Sequence, residues 1–512
     1  MTANRRSSNV DTERFRLRNF VASLAPEELQ VCAEPVALSD VAAMLHGNRK
    51  AVWLKSAAKE GAELVGNVVA SRTRLAQAFG VEPAKLALEL MARLRNEPEI
   101  IELAPAQAPV QGVVLTGREA DLTRLPVHVQ HAADGGPYIS ASVDFCIDPA
   151  TGKTNSGVRR MMLRGPFEAG IDLNAPSDLR LIYQAAAARK ERLPISFVVG
   201  CHPIDFVSAT MRVPADELGL VSSLRAAPVP VVKCVTNDIR VPADAEFVIE
   251  GYLDERGYAE AEGPYGEYLG YYGVVKQNPV FHVTAITHRR DALFQTATIS
   301  GRHMDMTDTA NLEALRTELS VWTALRGVAR EPVSVYVPVS TGGALSARVA
   351  LRQRFAGEAR AAIHAVLGAV AVKNLFVVDA DIDVFSDAEM EWALGSRFQA
   401  DKDLILVTGV RVSPLDPSLQ GSPTGAKAGY DLTWPMAIAT RWELQIPTPP
   451  SFAGKQFPSL EAALRDGPKR FEELMAARGS KDGRDIVREL DAFRARGLMR
   501  DDQGRYYLVR TE

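Results

Sequence analysis

A chain of 512 residues exceeds what one hydrophobic core usually holds, so two or three domains are expected. Its 46% hydrophobic and 24% charged residues describe a globular protein and not a disordered one. The formal charge of −4, with mixed signs and no long basic stretch, argues against a nucleic-acid partner.

The start of the chain is polar and lacks the apolar core of a signal peptide. No apolar run reaches the roughly 20 residues that span a bilayer. Cys32, Cys146, Cys201 and Cys234 are widely scattered, as buried thiols in a reducing compartment would be. A cytoplasmic location and no membrane partner are expected.

From Ser7 to about Asn96 the chain reads as mainly helical, with Leu86, Leu90, Met91 and Leu94 at helical spacing before Pro98. From about Val110 it changes to short apolar runs broken by Gly, Pro and Asp. Strands are expected at 113–115, 138–147, 195–200, 229–235, 246–253 and 279–287. One helix interrupts them near Ser177 to Lys190, with Ser177 or Asp178 as its cap. So many strands predict a barrel or a strongly curved sheet. After about Thr309, helices at 312–326, 356–369 and 387–395 alternate with strands at 333–337, 374–379 and 404–408, the rhythm of an α/β layer. Beyond Trp434 the chain is Pro-rich and then helical, as in an arm that packs on a partner or another domain.

Four segments hold residues suited to chemistry. In Glu260-Ala-Glu-Gly-Pro-Tyr-Gly-Glu267, glycines and a proline force a tight loop that holds Glu262 and Glu267 close together. Two neighbouring carboxylates among Tyr265, Tyr268, Tyr271 and Tyr272 can divide the roles of ionised and protonated acid. A solvated turn with surface glutamates is the plainer alternative. In Thr154-Asn-Ser-Gly-Val-Arg-Arg, an extended chain puts Asn155 and Arg159 on one face and Arg160 on the other. A buried arginine there needs an anionic partner, whereas an edge strand with two surface arginines needs none. Glu217, after Met211-Arg-Val-Pro, is either a helix-start acid or, with Asn155, an oxygen ligand for Mg²⁺ or Mn²⁺. Lys427 lies in the glycine-rich stretch from Gly421 to Pro435, read as a surface loop by default. Asp379-Ala-Asp-Ile-Asp lacks the Gly and terminal Glu of a calcium loop and reads as structural.

In this order, Asn155-x4-Arg160, Glu217 after Met211-x-x-Pro, Glu262-Gly-Pro-Tyr-Gly-Glu267 and Gly425-Ala-Lys427 resemble the UbiD family of reversible decarboxylases, which use prenylated FMN. The resemblance runs from about residue 110 to 440. It implies an α/β (α+β) multidomain protein. An N-terminal α/β domain (1–110) precedes a split β-barrel domain that binds the flavin (111–310). A C-terminal α/β domain with a helical, dimerising arm follows (311–512). It also implies a homodimer or larger homo-oligomer, and a flavin prenyltransferase that supplies the cofactor.

Carried over by motif, Asn155 and Glu217 are metal ligands for Mn²⁺ or Mg²⁺, with K⁺ nearby. Many members add a histidine ligand; here the stretch reads Ala175-Pro-Ser-Asp178, and Asp178 stands in its place. Gly157, Val158, Arg159, Arg160, Ser177, Thr210, Met211 and Lys427 fall in the cofactor cradle. Arg160, Glu262 and Glu267 match the catalytic network, in which the flavin is the electron sink, CO₂ leaves and Glu267 protonates the carbon. The segment from Thr296 to Asn311 resembles members acting on furan and pyrrole carboxylates, so His303 and Asn311 would face the ring. A pyrrole-2-carboxylate-like acid is the expected substrate. A larger fused-ring or phenolic acid, or a non-catalytic flavin-binding subunit, are the alternatives, and His303 as a surface residue at a helix start is another.

Overall fold

The computed structural model describes residues 10–212 and 215–509, so Pro214 of the Met211-x-x-Pro spacing and residues 1–9 lie outside the described residues. The chain forms two compact units, one to Thr433 and one from Trp434 onward.

The first unit begins with helices and a mixed sheet together, where the spacing predicts a mainly helical region. Leu29–Cys32 pairs in parallel with Ala51–Ala57, which pairs antiparallel with Ala62–Gly66. The run Ala51-Val-Trp-Leu is buried throughout, so it lacks the alternation that separates a strand from a buried helix. The helix Leu86–Arg93 does form at the expected spacing.

A closed antiparallel barrel follows. Its wall runs Tyr138–Ile147, Thr154–Leu163, Glu168–Ile171, Val280–His288, Phe247–Leu253 and Leu193–Val199, and back to Tyr138–Ile147. Closure removes the free edges that an open sheet of this kind would expose. Val113–Thr116 adds to the outside of Val280–His288. Opposite Arg160 the ladder is irregular. Ile139 pairs with Met161 and Ser142 with Arg159, so Ser140 and Ala141 together face Arg160. Such a bulge bends the strand and re-aims the side chains beside it.

After the barrel, Phe294–Gln295 returns to the N-terminal sheet as a parallel fourth strand beside Ala62–Gly66. The 18-residue helix Asp308–Leu325, capped by the Thr307 hydroxyl, then leads into an α/β layer. Its strands lie in the order Pro332–Tyr336, Ser346–Leu351, Asn374–Asp379, Gly425–Leu432 and Leu404–Val410.

The expected loop around Lys427 is therefore an inner strand. Its small residues serve packing against the helix Glu358–Ala369: a Cβ at Gly429 would sit 2.2 Å from the Ile363 side chain.

From Trp434 the chain has only short turns, at 436–440 and Trp442–Leu444, until the helices Leu460–Arg465, Phe471–Arg478 and Gly483–Asp491. An unexpected hairpin, Leu498–Arg500 with Tyr506–Leu508, completes this unit. Leu460, Leu464, Leu474, Ile486, Leu490 and Phe493 form its own core. Among the described residues, no helix is long and apolar enough to cross a membrane.

Candidate active site

The excursion between Leu253 and Val280 carries Glu262 and Glu267 to the barrel wall where Arg160 lies. Short ladders, Glu260–Glu262 with Lys276–Asn278 and Tyr265–Gly266 with Tyr272–Gly273, fix its shape. The Arg160 guanidinium donates through Nε to Glu262 Oε1 at 3.0 Å and through Nη1 to both Glu267 oxygens at 3.0 Å. Its other edge meets Asp172 at 2.8 Å. Beneath it lies the buried ring of Tyr265, 4.5 Å from guanidinium carbon to ring centroid. Burial works against the charge of Arg160, but Glu267, Glu262 and Asp172 outweigh it and hold the group firmly protonated.

Further residues brace the two glutamates. Asn278 Nδ2 donates to Glu262 at 3.2 Å, and Lys276 Nζ lies 3.7 Å from Glu267 and 3.4 Å from Asp172. Burial opposes ionisation of Asp172, yet Arg160 and Lys276 keep its carboxyl below the usual range. Gly273 lets the Glu267 side chain lie close, since a Cβ there would be 2.6 Å from Oε1.

The Tyr265 hydroxyl donates to Gln130 Oε1 at 2.5 Å, and Gln130 lines a cleft of about 420 Å³. That cleft is also lined by His46, His128, His131, Ser300 and His303. The rings of His46 and His303 meet edge to face at 5.2 Å. His131 packs against Tyr265 and Tyr272 and reaches Asp134 at 3.1 Å. Burial lowers His128 to about 4, so its imidazole is neutral at pH 7. The cleft and the arginine–glutamate network thus share a wall made of Gln130, His131 and Tyr265.

A second polar group sits at the far end of the Arg160 strand. Asn155 Nδ2 donates to Glu217 Oε2 at 2.9 Å, and the Ser156 N–H donates to the same oxygen. Asn155 Oδ1 is buried without a hydrogen-bond partner. Burial pushes Glu217 up to about 7, against the pull of the Ser156 N–H. Nearby, Arg159 Nε is 3.4 Å from Asp144, whose carboxyl burial raises to about 6. An orphaned carbonyl oxygen beside a carboxylate that resists ionisation on its own fits a hard cation. Among the described residues, however, no group of three His, Cys, Asp or Glu could hold a metal. Asp178, first residue of the helix Asp178–Ala188, adds to the electrostatic field on Glu217.

The other candidates are placed as follows. Ser177 caps that helix by accepting from Arg180 N–H at 3.2 Å. Gly157 and Val158 lie on the Arg160 strand, where Arg159 folds back to the Val158 carbonyl at 2.8 Å. Thr210 and Met211 follow the helix Pro203–Ser208, and the Thr210 hydroxyl donates to Val207 O at 2.7 Å. Lys427 is buried in the C-terminal α/β layer, where its ammonium donates to the carbonyls of Leu367 and Val370 at 2.7 and 2.6 Å. Asn311 is buried in the helix after the cleft, with its amide donating to the carbonyls of Asp305 and Thr307. The structure thus gathers Arg160, Glu262 and Glu267, pairs Asn155 with Glu217, and puts His303 on the cleft. Sequence reasoning missed Asp172, Lys276, Asn278, Gln130 and His46, which carry no local signal.

Two family domains match the chain. The 3-octaprenyl-4-hydroxybenzoate carboxy-lyase Rift-related domain covers residues 102–303, and the C-terminal domain of the same carboxy-lyase covers 310–432. An anhydromevalonate phosphate decarboxylase of Methanosarcina mazei is 31% identical over 378 residues, 73% of this chain and 85% of the relative. The UbiD-class enzyme HmfF of Pelotomaculum thermopropionicum, solved with FMN, superimposes with a TM-score of 0.79 at 30% identity, covering 85% of this chain and 98% of that one. An evolved dimeric form of HmfF with prFMN gives 0.76 at 28%, over 85% and 97% of the two chains. The 3,4-dihydroxybenzoic acid decarboxylase of Klebsiella pneumoniae gives 0.77 at 25%, over 85% and 97%.

Proposed function

The chain belongs to the UbiD family of carboxy-lyases, and from that premise we propose that it reversibly decarboxylates a heteroaromatic acid of the pyrrole-2-carboxylate kind on prenylated FMN. When bound, the prenylated flavin supplies the electron sink for breaking the bond to the carboxylate. The observation that carries this reading is the Arg160 guanidinium clamped between Glu262 and Glu267 beside the cleft. Glu267 delivers a proton to the carbon that has lost CO₂. Arg160 keeps the network's charge fixed through the transfer, and Glu262 orients Arg160. His303 and Asn311 set the ring. Because C–C cleavage lies near balance, high CO₂ drives carboxylation.

Asn155 and Glu217, with Asp178, would hold Mn²⁺ or Mg²⁺, which would supply positive charge at the cofactor site, with K⁺ as a further ion. Gly157, Val158, Arg159, Ser177, Thr210, Met211 and Lys427 would form the rest of the cradle. A cytoplasmic homodimer or larger assembly, loaded by a flavin prenyltransferase, is the form we expect to be active.

A second reading takes its support from the Methanosarcina relative, whose named substrate is an aliphatic phosphorylated acid. Three cleft imidazoles besides the neutral His128 could face such a phosphate. The test is co-expression with a flavin prenyltransferase, followed by cofactor absorbance and mass. Released CO₂ is then measured from pyrrole, furan, indole and phenazine carboxylates and from a phosphorylated α,β-unsaturated acid. Turnover of the last alone would select the second reading, and failure to take up prenylated flavin with Mn²⁺ and K⁺ present would overturn both.

A further inference from the structure

The unit beginning at Trp434 starts just past residue 432, where the matched family domains end. HmfF is covered over 98% of its length by 85% of this chain, so the remainder of this chain has no counterpart there. The appended unit has its own core and its own topology. The helix Leu460–Arg465 is followed by Lys469, which bridges to Tyr506 of the hairpin. Next come the helix Phe471–Arg478, a four-residue turn from Gly479 to Asp482, the helix Gly483–Asp491 and the hairpin. Two helices joined by a short glycine-containing turn, with a β-hairpin after the second, make a helix-turn-helix with a wing.

In that motif the second helix reads the major groove with its outward face. Here Ile486 and Leu490 point into the core, while Arg484, Val487, Arg488 and Asp491 share the exposed face at i, i+3, i+4 and i+7. The side chains of Arg484 and Arg488 are 82% and 72% exposed. Lys481, Arg494, Arg496 and Arg500 extend this surface on the turn, beyond the helix and onto the hairpin. Carboxylates lie among them: Asp485, Asp491 and Asp502 are exposed, and Glu489 is half-buried against Arg478. Asp482 and Asp501 are half-buried and accept backbone N–H bonds, from Arg484 and from Gln503 and Arg505. The side chains of Arg484, Arg488 and Arg494 pair with Asp482, Asp485 and Asp491, and Arg496 pairs with Glu461; surface ion pairs of this kind are weak and exchange for phosphate contacts. The motif thus presents exposed Lys481, Arg484, Arg488, Arg494, Arg496 and Arg500, interspersed with carboxylates, on a shape suited to a duplex.

We propose that the C-terminal unit binds duplex DNA, with Gly483–Asp491 in the major groove and the hairpin on the adjoining backbone. The experiment uses the full chain and a fluorescein-labelled 30-base-pair duplex of mixed sequence, read by anisotropy at 50 and 200 mM salt. Binding should be saturable at 50 mM and weaken steeply at 200 mM as counterions are released. R484A/R488A should weaken it by at least about tenfold while leaving CO₂ release unchanged. A second variant, R494A/R496A, should weaken it less. Circular dichroism melting confirms that both variants fold. Absence of binding at 50 mM, binding untouched by R484A/R488A, or equal affinity for vesicles of anionic phospholipid would each overturn the proposal.

Discussion

Arg160 and Arg225 both lie inside the protein with carboxylates on either side of the guanidinium, yet their surroundings differ. Arg225, at the end of the helix Glu217–Arg225, meets Asp205 and, at 2.6 Å, Asp244. All three are buried, and the Phe15 ring covers the guanidinium at 4.7 Å. Arg160 meets three carboxylates and shares two of them with Lys276, whose side chain is 24% exposed. Two of its acids sit on a glycine-rich excursion beside the cleft, Glu262 at the end of a three-residue strand and Glu267 just after a two-residue one. A sealed arginine–carboxylate group holds elements together, because no proton or ligand can reach it. An arginine–carboxylate group that lies against a cleft wall and meets a partly exposed lysine is not sealed in this way, so it is suited to proton exchange.

That contrast is open to test by substitution. Arg225→Met should be the most damaging change: it strands two buried carboxylates and should cost about 3–5 kcal/mol, read as loss of soluble protein or a large drop in Tm. A wild-type melting curve would contradict its sealed, structural character. Glu267→Gln should reduce CO₂ release by about 10²–10⁴-fold while the bound flavin's absorbance and the Tm stay close to wild type. Retained turnover would remove its role as proton donor. Lys276→Met should lower kcat by less than about tenfold, since a partly exposed ion pair contributes about 1 kcal/mol at most. A loss as large as that of Glu267→Gln would make Lys276 part of the chemistry.

A smaller effect concerns pH. Burial, with help from Arg225 and Arg93, lowers His202 to about 3, and burial lowers His128 to about 4. Between those values and the ordinary 6.5, the unfolded chain binds protons that the folded chain does not, so stability falls as pH drops below about 6.5. His202→Gln should flatten the fall in Tm between pH 7 and pH 5, and an unchanged slope would count against a buried neutral imidazole.

Much of this was legible in the sequence, for identifiable reasons. Barrel strands such as Tyr138–Ile147 announce themselves through β-branched and aromatic residues between turn formers. The arginine–glutamate network was legible because Arg160, Glu262 and Glu267 sit in distinctive local strings. Ala51–Ala57 was misread because burial on both faces erases periodicity. Gly425–Leu432 was misread because the small residues that admit a helix against a strand are also those of loops. Asp172 and Lys276 gain their importance from closure of the barrel, which brings distant segments together. The wing from Leu498 to Leu508 is built of strands too short to leave a pattern.

The bulge opposite Arg160 also bears on how this wall tolerates insertions and deletions. Ile139 and Ser142 face Met161 and Arg159 with two residues between them where the partner strand has one. Loss of one codon there would leave a regular ladder and the same residues facing inward, whereas a deletion elsewhere in a regular stretch exchanges the two faces. The barrel can therefore shed a residue at this point without being turned inside out. What it would give up is the Ser140 hydroxyl, which donates to the Ala297 carbonyl and accepts from the Ala297 N–H. The spare residue is thus a dispensable length of wall that fastens the returning chain behind the cleft.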